Sequence, residues 1–317
     1  MGRCLRQGPV LAAVLVWIAV STGCGTLQRS YTAVMEGGHQ ALRWYKSADD
    51  DLIKRVGVHR VINRSGYAST TFETAQTGRL LDRLQAESQG LIFIGPDAAA
   101  APELLTRLPR TPQGAINNLE LALAARKAGL NAVAVASLID VRDRRREEGL
   151  WWFKDVYDDI EATINLELFD SETAAKIIDE RFIHHFEADM PLAMAGQPPA
   201  TDLPTQVIEE IEEKVWPAIA RRIVDEMVII PWVGFIQEVS AGNVTFKAGS
   251  EAGLEPGDVL DVFDAGRVIQ GQGGSRFLAP GIKIGEIEVS DTAGRLSARI
   301  LSGTQISAGC MVKLKTD

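Results

Sequence analysis

The sequence predicts an α+β/α/β fold, in which a mixed sheet with covering helices is followed by a small β-barrel. Segments with strand and helix patterns alternate between residues 52 and 141, which is typical of a sheet covered by helices. A strictly alternating segment, 160–168, indicates an antiparallel hairpin with one wet face. After Pro231, short apolar segments separated by glycines are typical of a small barrel or sandwich.

The N-terminal segment predicts an export signal. Arg3 and Arg6 precede an uncharged run, 10–20, and the small residues 21–23 follow it directly before Cys24. A basic head, a short apolar core and a small-residue exit are the three parts of a secretory signal. A membrane-spanning helix needs about 20 apolar residues, and this run is shorter. We therefore expect residues 1–23 to be a signal peptide.

The junction between Gly23 and Cys24 resembles the bacterial lipobox, in which a small residue precedes a cysteine that becomes the first residue of the mature chain. The resemblance implies cleavage between these two residues, acylation of Cys24 with palmitate or a similar chain, and a lipidated tether over residues 24–51. Ser21 stands where the lipobox usually has Leu. Plain cleavage and an uncleaved anchor remain alternatives. Gly25, directly after the cysteine, resembles the residue at this position in lipoproteins that are sorted to the outer membrane. This resemblance implies that the protein is located at the periplasmic face of the outer membrane.

Composition and charge disfavour one class of partner. The chain has 317 residues, of which 46% are hydrophobic and 24% charged, and its net charge is −9. Removal of Arg3 and Arg6 with the signal makes the net charge −11. Binding to a phosphate backbone depends largely on Lys and Arg, so we expect no nucleic-acid partner.

Cysteine usage leaves one thiol for the folded chain. Cys4 lies in the signal and Cys24 would be acylated, so Cys310 has no internal partner for a disulfide. Cys310 alternates with Val312 and Leu314 as a strand residue would. This pattern predicts a buried structural cysteine.

Residues 52–192 are predicted to form an α/β domain. Its strands are predicted within 53–66, 90–96 and 130–141, of which the last is apolar on both faces, as a central buried strand is. Helices are expected within 71–89, where Gly78 interrupts the pattern, and in two pieces within 99–127. The charged segment 141–149 is interpreted as a solvated loop, and 160–187 as the hairpin.

The next segment, 193–229, is predicted to be a linker, 193–204, followed by an amphipathic helix. Pro217 is expected to bend this helix or to start a second one. Four glutamates outside the apolar stripe are interpreted as a solvated face rather than a metal site: Glu209, Glu210, Glu212 and Glu213. The stripe itself recurs at every fourth position: Leu203, Val207, Ile211, Val215, Ile219, Ile223 and Met227.

The histidines do not form a candidate metal site. His184 and His185 are adjacent in a predicted strand, so their side chains point to opposite faces and cannot bind one ion without distortion. His39 and His59 are expected to be structural or solvent-facing.

No other segment predicts catalysis. The glycine-rich segment 271–275 is not followed by a helix pattern, so it is interpreted as a loop rather than a phosphate cradle. Asp158, Asp159 and Glu161 lack a partner of opposed environment that would make an acid–base pair. We therefore predict no catalytic residue, no metal, no cofactor and no enzymatic activity.

Three stretches of residues 53–187 carry a family resemblance: RVGVHRVINRSG (55–66), NAVAVASLIDV (131–141) and ATINLELFDSETAAKIID (162–179). Together they resemble envelope lipoproteins related to the TolB amino-terminal domain and the curli secretion protein. Ala174 stands at the turn position where this family commonly has Gly.

Three further stretches lie in the C-terminal part: VTFKAGSEAGLEPGDVLDVF (244–263), KIGEIEVSDTAGRLSARILSG (283–303) and ISAGCMVK (306–313). They resemble the C-terminal domain of flagellar assembly protein T and its relatives, which implies an SH3-like barrel over 230–317 and a role in envelope assembly and binding. Residues 249–262 also resemble part of a bacterial PDZ domain. A PDZ domain next needs a helix, and 264–284 has no helical stripe.

These expectations combine into a non-enzymatic outer-membrane lipoprotein that faces the periplasm and acts as a structural, assembly or partner-binding module of flagellar or secretion machinery. Its expected partners are the membrane, through acylated Cys24, and envelope proteins or peptidoglycan-associated machinery; its oligomeric state stays open. One alternative is a PDZ-like peptide-binding lipoprotein. Another is an oligomeric secretion pore subunit like the curli protein, for which only 138–158 and 68–76 could cross a membrane.

Overall fold

The computed structural model describes residues 52–67, 71–88, 90–150, 152–187, 192, 202–247, 252–271, 275–292 and 296–315, with side chains at all of these except 145–150 and 153–158. The described residues belong to one compact unit, Ala48–Asp317. Several predictions fall outside the described residues: the signal peptide 1–23, the cleavage site Gly23–Cys24, the acylation of Cys24, the tether 24–51, His39 and the linker residues 193–201.

Six strands form the mixed sheet of the first half of the chain: β1 (Lys54–Val58), β2 (Ile62–Asn63), β3 (Leu91–Ile94), β4 (Ala132–Leu150), β5 (Phe153–Asp170) and β6 (Lys176–Glu187). The main order is β3-β1-β4-β5-β6, and β2 pairs with β4 at one end. β1 lies parallel between β3 and β4, whereas β4, β5 and β6 are antiparallel. The predicted mixed sheet is therefore confirmed.

Two helices cover opposite faces of this sheet: α1 (Phe72–Glu87), which continues through Gly78, and α2 (Asn118–Ala128). Ala132, Ala134 and Ala136 of β4 pack in one core with α1, and Val133 and Val135 pack in a second core with α2. This alternation confirms that β4 is buried on both faces. The first helical piece predicted within 99–127 is only a 3₁₀ turn, Glu103–Leu105, and Pro109 prevents a helix from continuing through this segment into α2.

The prediction of a solvated loop at 141–149 is wrong, because these residues continue β4. β4 and β5 stay in register from Ala132↔Asp170 to Leu150↔Phe153. Two arginines of the segment lie opposite carboxylates of β5, in the pairs Arg142↔Glu161 and Arg144↔Asp159. Opposite charges directly across two strands stabilise their pairing, so a charge cluster that looks like a loop in isolation forms a strand beside its partner.

A long helical rod follows the sheet and confirms the amphipathic stripe. It consists of α3 (Thr205–Glu210), a π-helical turn (Ile211–Val215) and α4 (Trp216–Ile229), in which Pro217 is the second residue. Of the two expectations for Pro217, the start of a second helix is confirmed, and the rod continues without a break. All seven stripe residues are buried, and they pack with α1 and the sheet in one core.

Eight further strands follow: β7 (Gly234–Ser240), β8 (Asn243–Phe246), β9 (Val259–Phe263), β10 (Val268–Gln270), β11 (Arg276–Leu278), β12 (Lys283–Asp291), β13 (Leu296–Ser302) and β14 (Met311–Leu314). Six of them form a closed barrel in the order β12-β13-β8-β7-β14-β9, and β10 and β11 form a separate hairpin. Residues 264–284, which a PDZ domain would use for its groove helix, contain β10 and β11 instead. Cys310 is buried, as predicted, but it directly precedes β14 rather than lying in it.

Arg126 of α2 joins the sheet to the barrel. Its Nε donates to the carbonyl of Ser171 at 2.8 Å, and its Nη2 donates to the carbonyl of Glu172, both in the β5–β6 turn. Its Nη1 donates to the carbonyl of Ala265 at 3.0 Å, and the guanidinium lies 5.4 Å from the ring centroid of Phe235 in β7. One buried side chain thus holds a helix, a turn of the sheet and the barrel together.

Asn131 makes a second link, directly before β4. Its Oδ1 accepts from the backbone N–H of Arg55 at 2.9 Å, and its Nδ2 donates to the carbonyl of Val233 at 2.8 Å. The amide is buried with both ends in use. It therefore fixes the start of the barrel relative to β1.

The approach of the barrel to α2 requires glycine at position 129. Gly129 ends α2 with φ of 70°, and a Cβ there would lie 2.3 Å from the carbonyl oxygen of Lys247. Gly114 also has a positive φ, of 87°, but a Cβ there would meet nothing within 4 Å.

We expect Gly129→Ala to lower the free energy of unfolding by about 1–3 kcal/mol more than Gly114→Ala, because it adds steric overlap to the cost of about 1–2 kcal/mol that a left-handed alanine carries at either position. Urea unfolding of the two variants measures the difference. Equal losses would show that the barrel does not press on Gly129.

Candidate functional site

A cleft of about 860 Å³ lies between the sheet and the barrel. Its apolar lining comes from both sides: Ile94, Leu104 and Ala124 on the sheet side, Phe246 and Leu296 on the barrel side. Its volume is that of a small-ligand site. The links through Arg126 and Asn131 set its width, because they fix the barrel against the sheet.

Charged side chains line the same cleft. Lys127 of α2 and Lys247 after β8 are exposed at it, Arg55 is half-buried there, and Glu103 and Glu238 carry the opposite charge. An apolar floor with charges of both signs suits an extended peptide segment, whose backbone and side chains are of mixed character.

The outer ends of β4 and β5 form a two-stranded arm, defined here as residues 145–158. The last pair between β5 and β6 is Asp159↔Glu187. Beyond it, β4 pairs with β5 alone among the described residues, through six pairs from Arg145↔Asp158 to Leu150↔Phe153. Trp152, at the tip, is 77% exposed.

The base of the arm is closed by a buried carboxylate. Glu161 is only 6% exposed, and it pairs with Arg142, with Arg144 at 3.5 Å and with His185 at 3.6 Å. The face of β5 predicted to be wet is therefore covered at this position by two arginines of β4. A buried carboxylate needs such partners. Because the arginines belong to β4 and the carboxylate to β5, these ion pairs link the two strands and stiffen the arm where it leaves the sheet.

The histidines and glutamates considered in the sequence as possible metal ligands form hydrogen bonds and ion pairs that hold structural elements together. Nε2 of His184 donates to Oε2 of Glu210 at 2.8 Å, so His184 lies on the opposite face from His185, as expected. Glu212 accepts from Gln76 at 2.8 Å and pairs with Arg79 at 3.3 Å. The glutamates of the helical rod are thus only partly a solvated face, because two of the four anchor it to neighbouring elements.

Metal-ligating clusters and membrane-spanning helices are both absent from the described part of the chain. No group of three or more His, Cys, Asp or Glu side chains there is placed to hold a metal ion. Within the same residues, every helix is too short or too polar to cross a membrane. Of the carboxylates considered above as an acid–base pair, Asp159 is buried and Glu161 is occupied by its arginines.

His59 lies directly after β1 and is only 5% exposed. Its Nδ1 is 2.6 Å from the carbonyl oxygen of Arg60, which can only accept, so Nδ1 carries the proton. Burial lowers the pKa of His59 below its usual value, as do the charges of Arg110 and Arg60; the bond to the Arg60 carbonyl and the charge of Glu73 act in the opposite direction. The sequence left His59 as either structural or solvent-facing, and its burial decides for the structural interpretation.

Comparison with known proteins gives similarity to solved structures only. No protein-family model matches the chain, and no curated protein matches it. The chain is similar to the hypothetical protein CT253 from Chlamydia trachomatis, with 14% identity and a TM-score of 0.30, over 56% of this chain and 94% of that one.

Two further structures are similar at the same level. The lipoprotein GNA1162 from Neisseria meningitidis has 11% identity and a TM-score of 0.28, over 53% of this chain and 99% of that one. The PelC dodecamer from Paraburkholderia phytofirmans has 10% identity and a TM-score of 0.27, over 56% and 86%. Likenesses this distant carry no argument about fold or function.

We expect the stability of the protein to fall as the pH drops below about 6.5, the usual pKa of histidine. The folded state holds His59 neutral, so the unfolded chain binds its proton first, and stability is lost until the pH reaches the lowered pKa of the folded state. His59→Asn removes this contribution, whereas His185→Asn, at an exposed histidine, keeps it. Urea unfolding between pH 7.5 and 5 measures the slopes; equal slopes for wild type and His59→Asn would contradict the assignment.

Proposed function

We propose that the chain is a non-enzymatic, lipid-anchored partner-binding module of the bacterial envelope. Acylated Cys24 holds it at the periplasmic face of the outer membrane, and the residues after the tether bind other envelope components of assembly or secretion machinery. The basic head, apolar run and Gly23–Cys24 junction support the anchor. Several acyl chains, each CH₂ adding about 0.8 kcal/mol on burial, anchor a protein without a spanning segment.

The observation that carries the binding role is the arm. An isolated two-stranded hairpin is at best marginally stable in water, yet this one extends six residue pairs beyond the third strand and ends at an exposed tryptophan. Tryptophan is enriched at the centres of protein interfaces. A ribbon of this kind gains most of its stability when a partner covers it.

The barrel and the cleft fit the same role. The closed six-stranded barrel supports the interpretation of residues 230–317 as a small β-barrel. The cleft beside it has an apolar floor and charges of both signs, which suits a peptide segment. The binding surfaces therefore lie on both halves of the compact unit.

One observation favours a second candidate function, an oligomeric secretion pore. That hypothesis needs the segment 138–158 to form a hairpin, and the segment lies in the paired strands β4 and β5. The arm is short for this purpose, because a membrane-crossing strand needs about 9–11 residues and each strand of the arm has six. Rings that resist heating on a gel would favour the pore, and their absence would favour the binding module.

We expect fatty-acid labelling of cells that express the protein to label the wild type and Cys310→Ala, but not Cys24→Ala. Cys310 is buried in the barrel and serves as the matched control for loss of a cysteine. An unlabelled wild type, or equal labelling of Cys24→Ala, would refute the anchor.

We expect a photo-reactive phenylalanine in place of Trp152 to give a discrete crosslinked band in intact envelopes. The same group in place of Ile269, an exposed apolar residue of β10, gives none. Both positions are exposed, so neither change disturbs the fold. Equal bands from both positions, or none from 152, would remove the arm from the proposed interface.

A further inference from the structure

A second cavity, of about 660 Å³, lies beyond the carboxyl end of β1. His59 and Arg60 line it from the segment after β1, Glu73 from the start of α1, and Arg107 and Arg110 from the segment before α2. From β1 the chain passes to α1 on one face of the sheet, and from β3 it returns to β4 through α2 on the other face. Crevices at such switch points, outside the carboxyl ends of parallel strands, are where α/β sheets bind ligands.

Two buried polar atoms beside this cavity have no hydrogen-bond partner among the described residues: Nε2 of His59 and Nε of Arg60. Buried polar atoms without a protein partner are uncommon in folded proteins, and a bound ion, ligand or water often supplies the missing hydrogen bond. His59 and Arg60 both line this cavity, so a group bound there can supply a missing hydrogen-bond partner.

The segment that carries these atoms is held rigidly. The backbone N–H of His59 donates to Ala134 at 2.9 Å, and that of Arg60 donates to Leu105 at 2.9 Å. The N–H of Val61 donates to Thr77 Oγ1 at 2.8 Å. The site is therefore formed before any ligand arrives, which lowers the cost of binding.

The cavity carries an excess of positive charge. Arg60 pairs with Asp97 at 3.4 Å, and Arg107 pairs with Glu103 at 3.7 Å on the exposed surface. Such exposed pairs are weak and leave most of the five donors of each guanidinium free for an anion. Arg110 uses one donor for the carbonyl of Gly114, at 2.7 Å.

Glu73 is the carboxylate of the lining, and it is already in use. Its Oε1 accepts from the backbone N–H of Asn63 at 2.9 Å. Three guanidiniums against one engaged carboxylate favour an anionic ligand, and planar guanidiniums match the oxygens of phosphate and carboxylate groups.

We propose that this cavity binds a phosphate group, with Arg60, Arg107 and Arg110 donating to its oxygens and His59 accepting from its P–OH. Because Nδ1 of the neutral ring carries the proton, Nε2 is an acceptor. Hydrogen phosphate and protonated phosphate monoesters have a hydroxyl to donate, whereas sulfate and carboxylate have none. The site is distinct from the arm and the cleft, and it does not depend on the lipid anchor.

Free phosphate and a phosphate monoester share this chemistry. We expect saturable binding of inorganic phosphate to the whole chain without its signal, measured by calorimetry at pH 7.5 and low salt. Glycerol 3-phosphate and vesicles that contain phosphatidic acid, measured beside free phosphate at about pH 6, where roughly half of a monoester carries a P–OH, then show whether an ester or a lipid headgroup is also taken. Binding of phosphate alone assigns the free ion as ligand, and binding of an ester as well assigns the headgroup class.

The variants are chosen at exposed arginines so that folding is preserved. We expect Arg107→Gln with Arg110→Gln to weaken phosphate binding by about tenfold or more, which is the effect of losing hydrogen bonds to a charged group. Arg299→Gln on the barrel, where Arg299 pairs with Glu288, is the matched control and leaves binding unchanged. No saturable binding by wild type up to about 10 mM phosphate, roughly the weakest affinity expected for a specific site, or affinity of the double variant within about twofold of wild type, would overturn the proposal.

The role of His59 has its own measurement. We expect wild type to prefer phosphate to sulfate at pH 7.5, and His59→Phe to lose this preference. Acidification provides a test without any variant, because protonated Nε2 becomes a donor and the preference falls as the pH drops. The charged groups that face His59 are Arg60, Arg110 and Glu73, and the arginines stay charged throughout. Equal affinity for the two anions at pH 7.5 would overturn the assignment of His59.

Discussion

The buried hydrogen bonds of Arg126 and Asn131 are the constraint on which the architecture depends. They satisfy main-chain carbonyls of the β5–β6 turn, of the segment after β9 and of the entry to the barrel, with donors that come from the sheet half. A buried carbonyl that loses its donor destabilises the folded state by more than the intact hydrogen bond contributes in net stability. The sheet and the barrel therefore form one unit, and the close approach at Gly129 and the cleft between the halves follow from this junction.

The regular features of the fold could be predicted from the sequence, because each depends on a local pattern. The inner part of β4 is an uninterrupted apolar run, and the apolar face of β5 follows a period of two. The helical rod is a more instructive case, since a strict four-residue spacing drifts by about 40° per step around an ideal α-helix. The π-helical turn Ile211–Val215 offsets part of this drift and keeps the stripe on one side.

Features that depend on distant pairing could not be predicted. The segment 141–149 has the composition of a solvated loop, and only its register opposite Asp158, Asp159 and Glu161 makes it a strand. Likewise, the sequence places His59 and the arginines of the second cavity in two separate segments, 59–60 and 107–110, and the crossing of the sheet between β1, β3 and β4 brings them to one end. Single residues of common types do not indicate in the sequence that they lie close together in the fold.

The arm also has a mechanical consequence. Its two strands are the outer ends of β4 and β5, which run without interruption into the middle of the sheet. A pull on Trp152 along the arm is therefore carried in parallel by many backbone hydrogen bonds of the core, rather than peeling an edge strand away one bond at a time. A protein attached at the tip would therefore pull along the strands, which is the direction in which this sheet resists force best.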